Sequence, residues 1–207
     1  MEPIVLSGVS KSFGGKAVLR DFSAVFPNPG LTAIMGSSGA GKTTLIRILL
    51  GLIRPDAGHI TGLSGLTPSV VFQENRLFPG LTALENAEAA GVKGGSGRYW
   101  LKRLGLEDAL DLRPQALSGG MQRRVAIARA LCYGGNFLVL DEPFKGLDVD
   151  TRAGIFPIFR EIKREKAVLL ITHDPEEAEA LADHLVKIEA IPAPGNSGPS
   201  TPLPESR

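Results

Sequence analysis

The sequence has little cysteine, no excess of either charge and no long apolar run. Its single cysteine, Cys132, follows apolar residues of a predicted helix, so we expect a buried thiol and no disulfide framework, as in a reducing compartment. The 23 basic and 22 acidic residues nearly cancel, and composition therefore gives no support for binding nucleic acid. Neither a signal peptide nor a membrane span is evident. We expect a cytoplasmic chain that reaches a membrane only through partners.

What the chain does have is enough length and apolar content for one compact domain, with 207 residues of which 43% are hydrophobic. Predicted strands cover residues 4–13, 17–26, 31–35, 59–60, 70–72, 137–140 and 167–171. The first predicted helix begins at Lys42, and the others cover residues 83–90, 98–104, 121–132 and 152–166. This alternation predicts an α/β fold with a largely parallel sheet, preceded by an antiparallel hairpin. Ligands of such sheets bind beyond the carboxyl ends of the strands.

A glycine-rich run between the strand at 31–35 and the following helix is typical of a phosphate-binding loop. It consists of Gly36, Ser37, Ser38, Gly39, Ala40, Gly41, Lys42, Thr43 and Thr44. Its glycines let backbone N–H groups point inward, and the helix dipole adds attraction for phosphate. Lys42 can reach the β- and γ-phosphates, Thr43 offers a hydroxyl to Mg²⁺, and Thr44 can bind a more internal phosphate. A Gly/Ser turn without function is disfavoured by the Gly-Lys-Thr sequence at the junction.

Two other apolar strands end in polar residues that suit nucleotide chemistry. Asp141 is placed to hold Mg²⁺, directly or through water, and Glu142 to polarise an attacking water. The alternative is a solvated acidic pair, which the neighbouring phosphate loop disfavours. His173 follows the strand at 167–171 and is expected near the γ-phosphate. Its alternative is an exposed side chain beside a helix cap formed by Thr172 or Asp174.

Residues 117–124 begin a second helix with glycines at its N-terminus, which offers further N–H groups to phosphate. Ser118 is also a good N-cap, and the two roles are compatible. The Leu-Ser-Gly-Gly sequence of residues 117–120, between a phosphate loop and an Asp-Glu strand end, resembles the signature of ABC ATPases, the motor subunits of ABC transporters. The similarity extends over residues 4–191.

The resemblance implies a P-loop NTPase fold with a RecA-like, mostly parallel sheet, an N-terminal antiparallel β subdomain and a short helical subdomain inserted at about 76–132. It also implies roles for residues outside the loop. Gln73 matches the Q-loop, Asp148 the D-loop, His173 the switch histidine and Phe13 the aromatic residue that stacks on adenine.

The family mechanism implies a head-to-tail homodimer that sandwiches ATP and Mg²⁺. Ser118, Gly119 and Gly120 of one protomer would face the nucleotide held by Lys42 of the other. Within each site, Thr43, Gln73 and Asp141 would hold the metal. Catalysis would use Glu142 to position water, His173 to contact the γ-phosphate and Lys42 to hold it, while Asp148 would link the two sites.

Three features depart from the common family pattern. Phe13 stands where tyrosine is usual, so ring stacking is kept without the hydroxyl, and packing of Phe13 in the core is an alternative. Residues 121–124 read Met-Gln-Arg-Arg where Met-Arg-Gln-Arg is frequent, which keeps Arg124 in register and leaves Arg123 without an assigned role. The segment between Gln73 and Ser118 is short and interrupted by glycines, which predicts a trimmed helical subdomain, the region that normally receives the membrane partner in this family.

One phosphate loop and one signature, without a long coiled coil, favour a transporter subunit over other ABC proteins. The absence of a fused span favours an importer, and residues 72–79 resemble the Q-loop region of importers for nitrate, sulfonate, taurine and thiamine-like solutes. This implies permease subunits and a solute-binding protein as partners, with the chain peripheral on the inner face of the membrane. The alternatives are an exporter ATPase and a soluble kinase or GTPase.

We predict that residues 1–191 form the ATP-binding domain. Residues 192–207 are rich in proline and have little to bury, which predicts a disordered tail.

Overall fold

The computed structural model describes residues 2–191, so the tail predicted at 192–207 lies outside the described residues. The first of its two sheets is antiparallel, with strand order β2-β1-β4. Its strands are β1 (Ile4–Phe13), β2 (Lys16–Phe26) and β4 (Ala57–Thr61). Phe13 pairs with Lys16 across the Gly-Gly turn, which confirms the predicted hairpin.

The second sheet has five strands in the order β5-β6-β7-β3-β8, and all neighbouring strands are parallel. These are β3 (Gly30–Met35), β5 (Pro68–Val71), β6 (Phe137–Asp141), β7 (Ala167–Ile171) and β8 (His184–Lys187). The sequence did not predict β8, because only Leu185 and Val186 in it are apolar and an edge strand beside β3 needs no long apolar run.

Six α-helices and two short 3-10 helices, Glu107–Ala109 and Pro114–Ala116, accompany the sheets in the described part of the chain. The α-helices are α1 (Lys42–Leu49), α2 (Ala83–Glu88), α3 (Gly97–Arg103), α4 (Gly119–Tyr133), α5 (Val149–Ile162) and α6 (Pro175–Leu181). The prediction of a helix at 152–166 was wrong at both ends. Helix α5 begins at Val149 because the Asp148 carboxylate accepts the Thr151 N–H at 2.8 Å and caps it. Within residues 2–191, no helix combines the length and apolar character needed to cross a membrane.

The apolar core lies on both faces of the parallel sheet, which explains why its strands are continuous apolar runs. Along β6, Leu138 and Leu140 pack on the face covered by α4 and α5. Phe137 and Val139 pack on the opposite face, against α1 and the antiparallel sheet. Cys132 on α4 is fully buried, and burial raises the pKa of its thiol to about 12, which confirms the expectation of a buried thiol.

Helices α2, α3 and α4 pack on one another within the segment predicted as a helical subdomain. The loop before α2 is held by the buried Asn86, whose amide donates to the carbonyls of Phe78 and Leu81 and whose side-chain oxygen accepts the Phe78 N–H at 2.8 Å. Thr82 and Glu85 then form a capping box that starts the helix. The region is small because α2 has 6 residues and α3 has 7.

Candidate functional site

A cleft of about 570 Å³ opens at the carboxyl edge of the parallel sheet, where β3, β6 and β7 end. This volume lies in the range of roughly 300–1,000 Å³ that is usual for small-molecule sites. The cleft brings together twelve of the residues predicted from the sequence. They are Gly36, Ser37, Ser38, Gly39, Gly41, Lys42, Thr43, Thr44, Gln73, Asp141, Glu142 and His173.

The loop after β3 is built for close backbone approach to a ligand. Gly41 has φ 101° and precedes α1, and a side chain there would lie 2.8 Å from the carbonyl oxygen of Val18. Ala40, also predicted at the site, is a buried residue of this loop and does not line the cleft. The Lys42 ammonium donates to the carbonyls of Gly36 at 2.6 Å and Ser37 at 2.9 Å. A cation and the N-terminus of α1 therefore converge on this mouth of the cleft, which suits an anion.

Asp141 ends β6 and is partly buried in the cleft. Burial and the neighbouring charge of Glu142 raise the pKa of this carboxyl group, while the cations of Arg123 and Lys42 act in the opposite direction. A bound cation would favour the charged carboxylate in the same way.

Glu142 and His173 form a pair across the ends of β6 and β7. The Nδ1 atom of His173 lies 2.9 Å from Oε1 and 2.8 Å from Oε2 of Glu142, within hydrogen-bond distance of both oxygens. This hydrogen bond and the charge of Glu142 raise the pKa of His173. Glu142 has φ 50°, a left-handed conformation that is strained for a residue with a side chain, and its N–H donates to the Ile171 carbonyl at 2.9 Å.

The segment that carries His173 is anchored on both sides. Thr172 is buried and donates its hydroxyl to the Glu177 carboxylate. Asp174 caps α6 and pairs with Arg152 at 2.6 Å. The capping role predicted for Asp174 is therefore correct, but His173 is not a free surface side chain. It is 70% exposed and contacts Glu142, whose side chain is only 14% exposed.

The other predicted residues lie outside the cleft in a single chain. The Phe13 ring is 48% exposed, with the Lys11 ammonium 5.5 Å from its centroid, so the alternative of core packing is wrong. Ser118 caps α4 by accepting the Met121 N–H at 3.2 Å, as predicted. The residues that do not line the cleft are Phe13, Ala40, Ser118, Gly119, Gly120 and Asp148.

Sequence reasoning missed two residues that line the cleft, Val18 and Lys145. Lys145 carries a signal that could have found it, because it lies three residues after Glu142, and its N–H closes a turn on the Glu142 carbonyl at 3.2 Å. Val18 carries no such signal, since it reaches the site only through the packing of β2 against the loop at Gly41.

The cleft offers oxygen donors of the kind that Mg²⁺ prefers. The Thr43 hydroxyl, the Gln73 amide and the Asp141 carboxylate all line it. Among residues 2–191, no group of three or more His, Cys, Asp and Glu side chains is arranged to hold a metal. The donor set fits Mg²⁺ bound largely through substrate phosphates.

Comparisons with known proteins agree with this geometry. The family model of the ABC transporter matches residues 19–145. The aliphatic sulfonates import ATP-binding protein SsuB 2 of Pseudomonas aeruginosa is 38% identical over 198 residues, which cover 90% of this chain and 72% of that protein. The corresponding SsuB protein of Escherichia coli is 38% identical over 200 residues, 90% of this chain and 77% of that protein.

Solved structures show the same fold. The dimeric structure of a bacterial ABC transporter cassette superposes with a TM-score of 0.79 at 29% identity, over 90% of this chain and 94% of that one. A dimeric cassette in a post-hydrolysis state, bound to ADP and Pi, gives a TM-score of 0.77 at 29% identity, over 90% and 96% of the two chains. The chain therefore belongs to the ABC transporter family and is an ATP-binding, ATP-hydrolysing domain of that family.

Proposed function

We propose that this chain is the motor subunit of an importer, in which ATP-driven dimerisation and hydrolysis act on separate permease subunits. The observation that carries the proposal is the Glu142–His173 pair, which faces the phosphate loop across one cleft. The names of the relatives, at 38% identity, favour import and an aliphatic sulfonate as the type of solute. A solute-binding protein and a position on the inner face of the membrane follow from the importer role.

Binding of ATP would use the loop and its cation. Lys42 and the N–H groups at the start of α1 would hold the phosphates, and the exposed ring of Phe13 would stack on adenine, which contributes roughly 0.5–1.5 kcal/mol. Thr43, Gln73 and Asp141 would hold Mg²⁺, which when bound supplies positive charge against the triphosphate.

Hydrolysis would use the two residues at the ends of β6 and β7. The carboxylate of Glu142 would accept a proton from the attacking water as the water oxygen bonds to the γ-phosphorus and the bond from that phosphorus to the bridging oxygen of ADP breaks, which leaves ADP and phosphate. His173 would donate a hydrogen bond to the γ-phosphate, where the raised pKa that it owes to Glu142 favours the positive imidazolium. Because both side chains are fixed by the strand ends, the water can be held in one orientation.

The signature and the D-loop would act on a second copy of the chain. The Gly119 backbone is open, since a side chain there would meet nothing within 4 Å, and Gly120 lies close to Leu147 of the D-loop. Asp148 is exposed beside Val149, an apolar residue that is 68% exposed. The similar cassette solved as a dimer supports a dimer here. Ligand that binds only the closed dimer stabilises it by mass action.

We also propose that residues 1–191 are the ATP-binding domain and that its helical subdomain spans about 76–132. The mutual packing of α2, α3 and α4 supports this division.

Replacing the proposed base tests the hydrolytic step. We expect Glu142→Gln to lower kcat by on the order of 10²–10⁴, because the amide cannot accept the water proton. The affinity for ATP should stay within about twofold, since the phosphate loop is intact. Phosphate release and binding of a fluorescent ATP analogue measure the two quantities. Glu165→Gln, at an exposed position in the turn after α5, is the control. Near-normal turnover by Glu142→Gln would contradict the assignment.

The same variant tests the ion pair. In Glu142→Gln the pKa of His173 should fall toward the ordinary histidine value of about 6.5, because the carboxylate that stabilises the imidazolium is gone. Proton NMR titration of the imidazole Cε1–H without nucleotide measures it, with His173→Gln for assignment. An unchanged His173 midpoint would show that the pair does not form in solution.

The dimer can be tested at the signature. Glu142→Gln with ATP and Mg²⁺ should show twice the monomer mass in light scattering, because ATP is bound and not hydrolysed. Adding Ser118→Arg should leave a monomer that still binds ATP, since the larger cation obstructs the facing surface. Ser96→Arg in the same background is the matched control, because Ser96 caps α3 but lies outside the signature. A Ser118→Arg dimer would argue against this interface.

The partners can be identified by trapping. Tagged Glu142→Gln, loaded with ATP in membranes of the source organism, should copurify with a permease and a solute-binding protein, while an untagged chain should recover neither. Mass spectrometry identifies the proteins. A permease with no solute-binding protein would favour the exporter alternative, and recovery of no membrane protein would contradict the transport role.

A further inference from the structure

Arg123 is a charged side chain inside α4 with only 2% of its surface exposed. On one side its guanidinium donates to three consecutive carbonyl oxygens at the end of β6. The Nη2 atom binds the carbonyls of Asp141 at 2.6 Å and Glu142 at 2.7 Å, and Nε binds that of Pro143 at 2.9 Å. The Arg123 side chain therefore binds the turn that contains Glu142, the proposed catalytic base.

On its other side the same guanidinium holds the segment around Gln73. The Nη1 atom donates to the carbonyl of Phe72, to that of Gln73 at 3.2 Å and to the side-chain oxygen of Asn75 at 3.3 Å. All six acceptors of Arg123 are uncharged oxygens. One planar group thus connects two loops of the cleft that are about 70 residues apart in sequence. A guanidinium can do this because its five N–H donors point in fixed directions on more than one side.

The contact at Glu142 falls on strained backbone. Glu142 has φ 50°, its N–H is held by the Ile171 carbonyl, and its own carbonyl is held by Arg123. Such a conformation persists only where the surroundings fix it. Arg123 thus holds the backbone of the proposed catalytic carboxylate together with the Ile171 carbonyl and the Lys145 N–H, which donates to the same Glu142 carbonyl at 3.2 Å.

Two other arginines on α4 show that this bridge is specific to Arg123. Arg129 donates to the carbonyls of Asn75 and Arg76, which secures the segment after Gln73 but does not reach the β6 turn. Arg124 donates to the carbonyls of Leu104 and Gly105, away from the cleft. Only Arg123 among them joins Gln73 to Glu142.

We propose that Arg123 is a positioning residue, which holds the backbone of Gln73 and of Glu142 in one frame and so aligns both side chains on the attacking water. The proposal rests on the proposed roles of Glu142 and Gln73 in hydrolysis. Arg123 does not line the cleft, and it acts through the two loops that it binds. The departure from the usual Met-Arg-Gln-Arg order left Arg123 without an assigned role, and this proposal gives it one.

Two substitutions distinguish the contribution of the forked guanidinium of Arg123 from that of its positive charge. Arg123→Lys keeps the charge but replaces the fork by a single ammonium, and Arg123→Met fills the buried space without any donor. Both should lower kcat by about tenfold to a hundredfold, because small misplacements of catalytic groups have effects of that order. The dissociation constant for ATP should stay within about twofold, as the phosphate loop is not touched.

The matched control is Arg124→Lys, which makes the same replacement on the same helix and removes contacts to two backbone carbonyls. It should keep kcat within about twofold when all variants are assayed well below their thermal unfolding midpoints. Circular dichroism gives those midpoints. A Lys variant too unstable to assay leaves Arg123→Met as the test, since an apolar residue is readily buried.

A second measurement asks whether Arg123 acts through Gln73. Gln73→Ala and Arg123→Lys should be non-additive, so the double variant loses less kcat than the product of the single losses. Normal kcat in both Arg123 variants would overturn the inference, and so would additive losses or a fall in ATP affinity that matches the fall in kcat. Glu142→Gln distinguishes a failure of the proposed function from a failure of this inference. If the proposed function is wrong, that variant retains turnover whatever the Arg123 variants do.

Discussion

The parallel pairing of β7 with both β3 and β6 is the constraint on which the site depends. Ile171 at the end of β7 pairs with Ile34 on β3 and with Asp141 on β6, so the three strands end at the same level. Parallel strands place their carboxyl ends on one edge, and each of these ends continues into a polar segment. The phosphate loop, Glu142 and His173 therefore share a cleft although they are far apart in sequence.

Backbone hydrogen bonds extend this alignment of the strands into the turn that contains Glu142. The Ile171 carbonyl accepts the Glu142 N–H, and the Ile34 carbonyl accepts the Thr172 N–H at 3.3 Å. These hydrogen bonds thus fix the residues that directly follow the paired part of the strands, including Glu142 with its left-handed backbone. Strain at this position is tolerable because neighbouring groups hold it on both sides, and it directs the carboxylate toward His173.

Local patterns predicted the phosphate loop, the hairpin and most strands, because glycine spacing and apolar runs are properties of short segments. Strand β8 escaped prediction, since its pairing with β3 comes from tertiary packing and its sequence has only two apolar residues. Ala40, which the sequence also predicted at the site, has a buried side chain and does not line the cleft. A motif gives the order of residues, whereas the conformation of the backbone decides which of them line the cleft.

The sequence by itself determined that a glycine-rich loop with Lys42 lies between a strand and a helix, that Asp141 and Glu142 follow a buried strand, and that a Leu-Ser-Gly-Gly sequence begins the helix capped by Ser118. Only the tertiary structure decided that Glu142 lies 2.8 Å from His173 and that Arg123 bridges Glu142 to Gln73. The physical reason is distance along the chain. A motif fixes neighbours through local geometry, but contacts across 31 and 50 residues exist only once strand register and helix packing bring the segments together.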